Sequence, residues 1–78
     1  MSAPNPTIII FTFETTHQAL WAEEVAQEQG LPCEVAPAPP EVDAKCGLSI
    51  RTPESQADRL AKVFAEEGIE FGRVEAPS

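Results

Sequence analysis

A chain of 78 residues forms one small domain, in the size range where a hydrophobic core is barely sufficient. Thirteen acidic residues against 5 basic ones leave a net charge of −8. That balance excludes tracking of nucleic-acid phosphates or of an anionic membrane surface, and leaves protein partners, basic ones by preference.

No apolar run approaches the roughly 18 to 20 residues that cross a bilayer. Residues 1–6, Met1-Ser2-Ala3-Pro4-Asn5-Pro6, read as a flexible leader without the basic start and apolar stretch of a signal peptide, so the expected compartment is the cytoplasm. Cysteines there are expected to be thiols. The spacing of Cys33 and Cys46 fits no zinc pattern, and a single histidine leaves few soft ligands, so neither a structural metal nor a cofactor is expected. The domain proper is expected over residues 7–74, with 75–78 as a tail.

Thr7-Ile8-Ile9-Ile10-Phe11-Thr12-Phe13 is β-branched and aromatic throughout, the pattern of a central strand buried on both faces. Thr15 followed by Gln18 predicts a capping box that opens a helix. Ala19, Ala22, Val25 and Ala26 form its apolar stripe, with Trp21 at the edge as half-buried packing. Glu23 borders the stripe, either as a solvated flank residue or as a carboxylate turned to a site. Gly30 supplies a left-handed helix end, and Pro32 blocks continuation.

Leu31 to Ala36 is expected as a short edge strand with Leu31, Cys33 and Val35 on one side, so core packing is the expected role of Cys33 and a disulfide with Cys46 the secondary one. The next stretch, Pro37-Ala38-Pro39-Pro40-Glu41-Val42-Asp43-Ala44-Lys45-Cys46-Gly47, is the unusual one. Its prolines fix φ and remove donors, so it is neither helix interior nor central strand, and it ends at a Cys-Gly pair. Gly47 to Arg51 is expected as a third strand, with Leu48 and Ile50 facing the core. Thr52-Pro53 then reads as an N-cap with proline at the first helical position. Ala57, Leu60, Ala61, Val63 and Phe64 form the second helix's stripe, Gly68 ends it, and Ile69 to Val74 is the last strand.

A shift of 38 residues lays Gly68 on Gly30, Ile69 on Leu31, Ala57 on Ala19 and Val63 on Val25. The repeated order predicts an α+β fold of ferredoxin-like βαββαβ type, a four-stranded antiparallel sheet with two helices on one face. Ile8, Ile10 or Phe11 on the other face would invite a homodimer.

In the strand order 4-1-3-2 usual for that topology, the end of the first strand lies beside the start of the third. Phe13, Glu14 and the first turn of the first helix, Thr15, Thr16 and His17, are then expected around Cys46 and Gly47. A helix N-terminus offers unpaired amides and partial positive charge, which lower a thiol's pKa. His17 would add charge or shuttle a proton, and Gly47 would give access. Phe13, Thr15, Thr16, Pro37 and Pro39 are the expected ligand-binding wall. Two plainer readings stand beside this one: Cys46 as a small buried residue that opens a strand, and His17 as a solvent-facing helix residue.

Phe13, Ala19-Leu20-Trp21-Ala22-Glu23, Gly30-Leu31-Pro32, Pro37-Ala38-Pro39 and Cys46-Gly47-Leu48-Ser49-Ile50 together resemble the selenium/sulfur-carrier-like family of small bacterial domains. The resemblance spans about Thr7 to Val74, and the Pro-x-Pro run followed by Cys-Gly is its most specific part. Where the family commonly has an arginine after the second proline, this chain has Pro40, so no anion-binding role is carried over. The resemblance implies a carrier: Cys46 takes up sulfur or selenium as a persulfide or selenenylsulfide from one protein and hands it to another, closer to a cosubstrate than to an enzyme. The alternative is a ligand- or soft-metal-binding regulatory module that uses Cys46, His17 and Glu14. A third reading is a structural domain that docks its acidic helices on a larger enzyme.

Overall fold

The computed structural model describes residues 7–38 and 47–76. The elements run β1 (Ile8–Phe13), α1 (Thr16–Glu28), β2 (Glu34–Pro37), β3 (Leu48–Pro53), α2 (Glu54–Glu67) and β4 (Phe71–Glu75). One four-stranded sheet has the order β2-β3-β1-β4, every neighbouring pair antiparallel. This is the ferredoxin-like βαββαβ arrangement that the repeated halves predict.

β1 sits between β3 and β4, as its unbroken β-branched and aromatic run requires. Ile9, Phe11 and Phe13 point to the helices and join Ile50, Ala19, Ala22, Val25, Ala26, Ala57, Leu60 and Phe64 in one core. All four phenylalanines meet there edge to face. Phe64 contacts Phe11, Phe13 and Phe71 with centroids 5.4, 5.9 and 5.8 Å apart, and Phe11 meets Phe71 at 5.3 Å. Such pairs add to the burial term the favourable contact of ring edge with ring face. Phe11 therefore does not look out from the second face of the sheet. Ile10 does lie on that face but is fully buried, and Ile8 is half-buried. Of the three side chains expected to draw a second copy, none is an exposed apolar group.

Both helices end in the same device. Gly30 and Gly68 take left-handed φ values of 68° and 81°. Their N–H groups bond back to Gln27 and Ala65 carbonyls, while those of Leu31 and Ile69 reach Ala26 and Phe64 at 3.0 and 2.9 Å. This is the Schellman pattern at both sites. It also explains where β2 and β4 begin. The amides of Leu31 and Ile69 close the preceding helix, so neither residue joins the ladder, and β2 starts at Glu34 and β4 at Phe71 rather than at Leu31 and Ile69. Leu31, Cys33 and Val35 nonetheless pack on the core from one side, as their alternation predicts.

The start of α2 differs from the sequence expectation. Pro53, not Thr52, is the capping residue, and no side chain caps this helix. Thr52 lies inside β3, 1% exposed, and its hydroxyl donates to the Pro32 carbonyl at 2.8 Å. A threonine on a β3 face turned to the core gains more by satisfying a carbonyl outside the ladder than by capping a helix whose first amide, that of Glu54, already donates to the Thr7 carbonyl at 2.9 Å. Ser49 does the same on the opposite face, donating to the Ala36 carbonyl at 3.2 Å. Two hydroxyls on β3 thus tie down the short edge strand β2.

Candidate functional site

The register of the sheet builds the site. β1 pairs with β3 from Ile8 opposite Pro53 to Thr12 opposite Ser49. Continued by two residues, it sets Glu14 opposite Gly47, where β1 hands over to α1. On the other side Pro37 pairs with Leu48, and the Ala38 amide donates to the Gly47 carbonyl at 3.0 Å. Gly47 is thus fixed between the end of β1 and the end of β2, at the edge of the sheet from which α1 departs. Cys46 and Pro39, the thiol and one wall residue expected there, lie outside the described residues.

Phe13 is 3% exposed and belongs to the core beneath this end rather than to an open wall. Thr15 is the N-cap of α1: its hydroxyl accepts the Gln18 amide at 3.1 Å, and its carbonyl accepts the Ala19 amide at 3.1 Å. The amides of Thr16 and His17 are the first-turn donors left without a partner among the described residues. The capping box is only half closed, because the buried side-chain oxygen of Gln18 has no hydrogen-bond partner among the described residues. Pro37 is exposed at the end of β2.

The His17 imidazole is exposed on the outer face of α1, opposite the buried alanines. With Leu20, Trp21 and Glu24 it lines a shallow groove of about 380 Å³. Leu20 is 49% exposed, the most exposed large apolar side chain among the described residues. Around Gly47 nothing described lies within 4 Å of where a Cβ would stand, and its φ is not in the left-handed range. Gly47 therefore opens space at the lip, and no described neighbour forces glycine there.

The opposite end of the sheet carries a feature that residue type alone does not reveal. Cys33 lines a cleft of about 460 Å³ together with Ile8, Pro32, Glu34, Arg51, Thr52 and Pro53. Burial pushes its thiol pKa up, and the charge of Glu23 pushes it in the same direction. Glu23 is half-buried on α1, close enough to Cys33 for its charge to act on that thiol. The helical spacing of Ala19, Glu23 and Ala26, set against the alternation of Leu31, Cys33 and Val35, is the signal that could have found this pair. Among the described residues no group of three or more His, Cys, Asp or Glu side chains could hold a metal ion, and no helix is long and apolar enough to cross a membrane.

The fold and the register define a small α+β domain that presents one edge of its sheet, with Gly47, to the start of its first helix. The chain belongs to the family described as putative Se/S carrier protein-like, whose model matches residues 9–74. The match takes in both helices, all of β2 and β3, and nearly all of β1 and β4. No curated protein and no solved structure matches the chain.

Proposed function

We propose that this protein carries sulfur or selenium between proteins, with Cys46 as the carrier thiol. The observation that carries the reading is the family match across the domain; in support, β1 and β3 pair as far as Thr12 opposite Ser49, so the start of β3, next to Gly47, lies beside the end of β1. In the loading step the Cys46 thiolate attacks the outer sulfur of a donor persulfide. The donor S–S bond breaks, a new one forms on Cys46, and the donor leaves as a thiolate, with no net electron transfer. A selenium cargo would be held in the same way, as a selenenylsulfide.

Each neighbour has a role in this reading. The first-turn amides of Thr16 and His17 and the positive end of α1 favour the thiolate over the thiol. Thr15 holds the first turn in place through its cap, and Gly47 leaves the approach to the sulfur open. Pro37, exposed at the end of β2, and Pro39 are the wall residues of this reading. Donor and acceptor are proteins that dock against an acidic surface, and thiol chemistry of this kind belongs to a reducing compartment such as the cytoplasm.

The test is intact mass of the wild type and of Cys46→Ala after incubation with a cysteine desulfurase and cysteine, without reductant. The wild type should gain the mass of one sulfur atom, the variant should not, and dithiothreitol should remove the gain. A wild type that gains nothing would overturn the carrier role.

A further inference from the structure

Whether the second thiol takes part in the chemistry of the first is decided by strand register. Cys33 adjoins Glu34, which pairs with Arg51, and the carbonyl of Pro32 accepts the Thr52 hydroxyl at 2.8 Å. Cys33 is therefore level with Thr52, near the far end of β3, whereas Gly47 precedes its first residue. Five residues of strand, at about 3.3 Å each, put roughly 16 Å between those two levels. The peptide link holds the Cα of Cys46 within about 3.8 Å of that of Gly47. Any residue bonded to Gly47 thus starts no nearer than about 12 Å, Cα to Cα, from Cys33, while a disulfide needs less than about 7 Å. The pairing of β2 with β3 holds this separation, and the Ser49 and Thr52 hydroxyls reinforce it.

We infer that Cys33 is not a resolving cysteine, and that cargo on Cys46 is discharged only by a nucleophile from another molecule. This inference rests on the carrier reading above. If the thiols could meet, the Cys33 thiolate would attack the inner sulfur of the Cys46 persulfide. A Cys33–Cys46 disulfide would form and hydrosulfide would leave, so two thiols would be oxidised and the transferable sulfur reduced and lost. With that route closed, the productive step is attack by an acceptor thiolate on the outer sulfur: the acceptor becomes a persulfide, Cys46 returns as a thiolate, and the oxidation level of the sulfur is kept. The reaction that consumes the loaded carrier is thus persulfide transfer to a thiol of a second protein or a small thiol. The burial and acidic neighbour of Cys33 work in the same sense, because they keep that thiol protonated and poorly nucleophilic.

Two arms test this on the full chain. In the first, unloaded wild type and Cys33→Ser are treated with diamide and their masses read without reductant. No wild-type monomer lighter by two hydrogens should form, and a peptide joining positions 33 and 46 within one chain would overturn the inference. In the second, both proteins are loaded with inorganic polysulfide, desalted and followed by mass. They should lose sulfur at the same rate, and reduced glutathione should discharge both alike. A several-fold faster loss from the wild type, with that linked peptide, would overturn it. Failure of Cys46 to load would remove the carrier reading alone, because the diamide arm does not depend on loading.

Discussion

At Cys33 the folded chain holds a thiol in its neutral form, by burial first and by the nearby Glu23 carboxylate second. In the carrier reading the amides of α1 favour the Cys46 thiolate against the nearby Glu14 and Glu70 carboxylates, and the two cysteines should differ in rate. Iodoacetamide at neutral pH is expected to label Cys46 first, and mapping of the labelled peptides reads the order directly; equal rates, or a faster Cys33, would remove the proposed activation. The raised pKa also makes stability depend on pH. An unfolded thiol titrates near 9.0, and the folded Cys33 above that. Below this range both states are protonated and the contribution is fully present. As pH rises through it the unfolded state loses its proton first, so stability falls toward the alkaline side. Urea titrations from neutral to alkaline pH should show this decline in the wild type and a shallower one in Cys33→Ser. Glu23→Gln should lower the Cys33 pKa only in part, because burial remains.

At the scale of elements, stability gathers at one residue of α2 and one contact between strands. Phe64 touches the other three phenylalanines and is fully buried. Phe64→Ala is expected to cost about 3–5 kcal/mol. A domain this small has little to spare against such a loss, so the variant should be largely unfolded by circular dichroism at room temperature. Across β1 and β4, a Cβ added at Gly72 would stand 2.6 Å from the Thr12 hydroxyl oxygen, so the Thr12 side chain must turn aside or the strands must part. Gly72→Ala should therefore destabilise by roughly 1–3 kcal/mol. Thr12→Ala in the same chain should restore most of that, and the double-mutant cycle from chemical denaturation measures the coupling. Most of the elements themselves are legible in the sequence: the β-branched run of β1, the alanine stripe of α1 with its Thr15 cap, and the two glycines that end the helices. The starts of β2 and β4 are not, because a Schellman motif takes the amides of Leu31 and Ile69, and propensity carries no sign of that. Thr52 misleads for a related reason. Threonine before proline fits a cap and a buried strand position equally well, and only the strand offers it the Pro32 carbonyl.

For the whole molecule, the residue pattern carries the topology, and the register of three strands sets Gly47 at one end of the sheet. What stays hidden in the sequence is the setting of the side chains: His17 lines an outer groove with Leu20 and Trp21, and the charge of Glu23 acts on the other cysteine. The charge has a direction as well. α1 carries Glu23, Glu24 and Glu28 with no lysine or arginine, whereas Arg59 and Lys62 partly balance the acids of α2. Glu14 and, by continuation of the β1–β4 register, Glu70 stand at the same edge of the sheet as Gly47. In the carrier reading, carboxylates there oppose the thiolate, and we propose that they serve docking of a partner rather than activation. A basic donor would be drawn to this end by the field of the net −8 charge, with the exposed Leu20 as an apolar contact once it arrives. The screening length falls to about 10 Å at 0.1 M salt. Transfer from a desulfurase at subsaturating concentration should therefore slow steeply as salt is raised, whereas loading by inorganic polysulfide, itself an anion, should not slow. Leu20→Ser should weaken the protein-mediated transfer without changing the polysulfide reaction. Parallel salt dependence of the two reactions would mean that the acidic face serves solubility alone, and the docking role would be withdrawn.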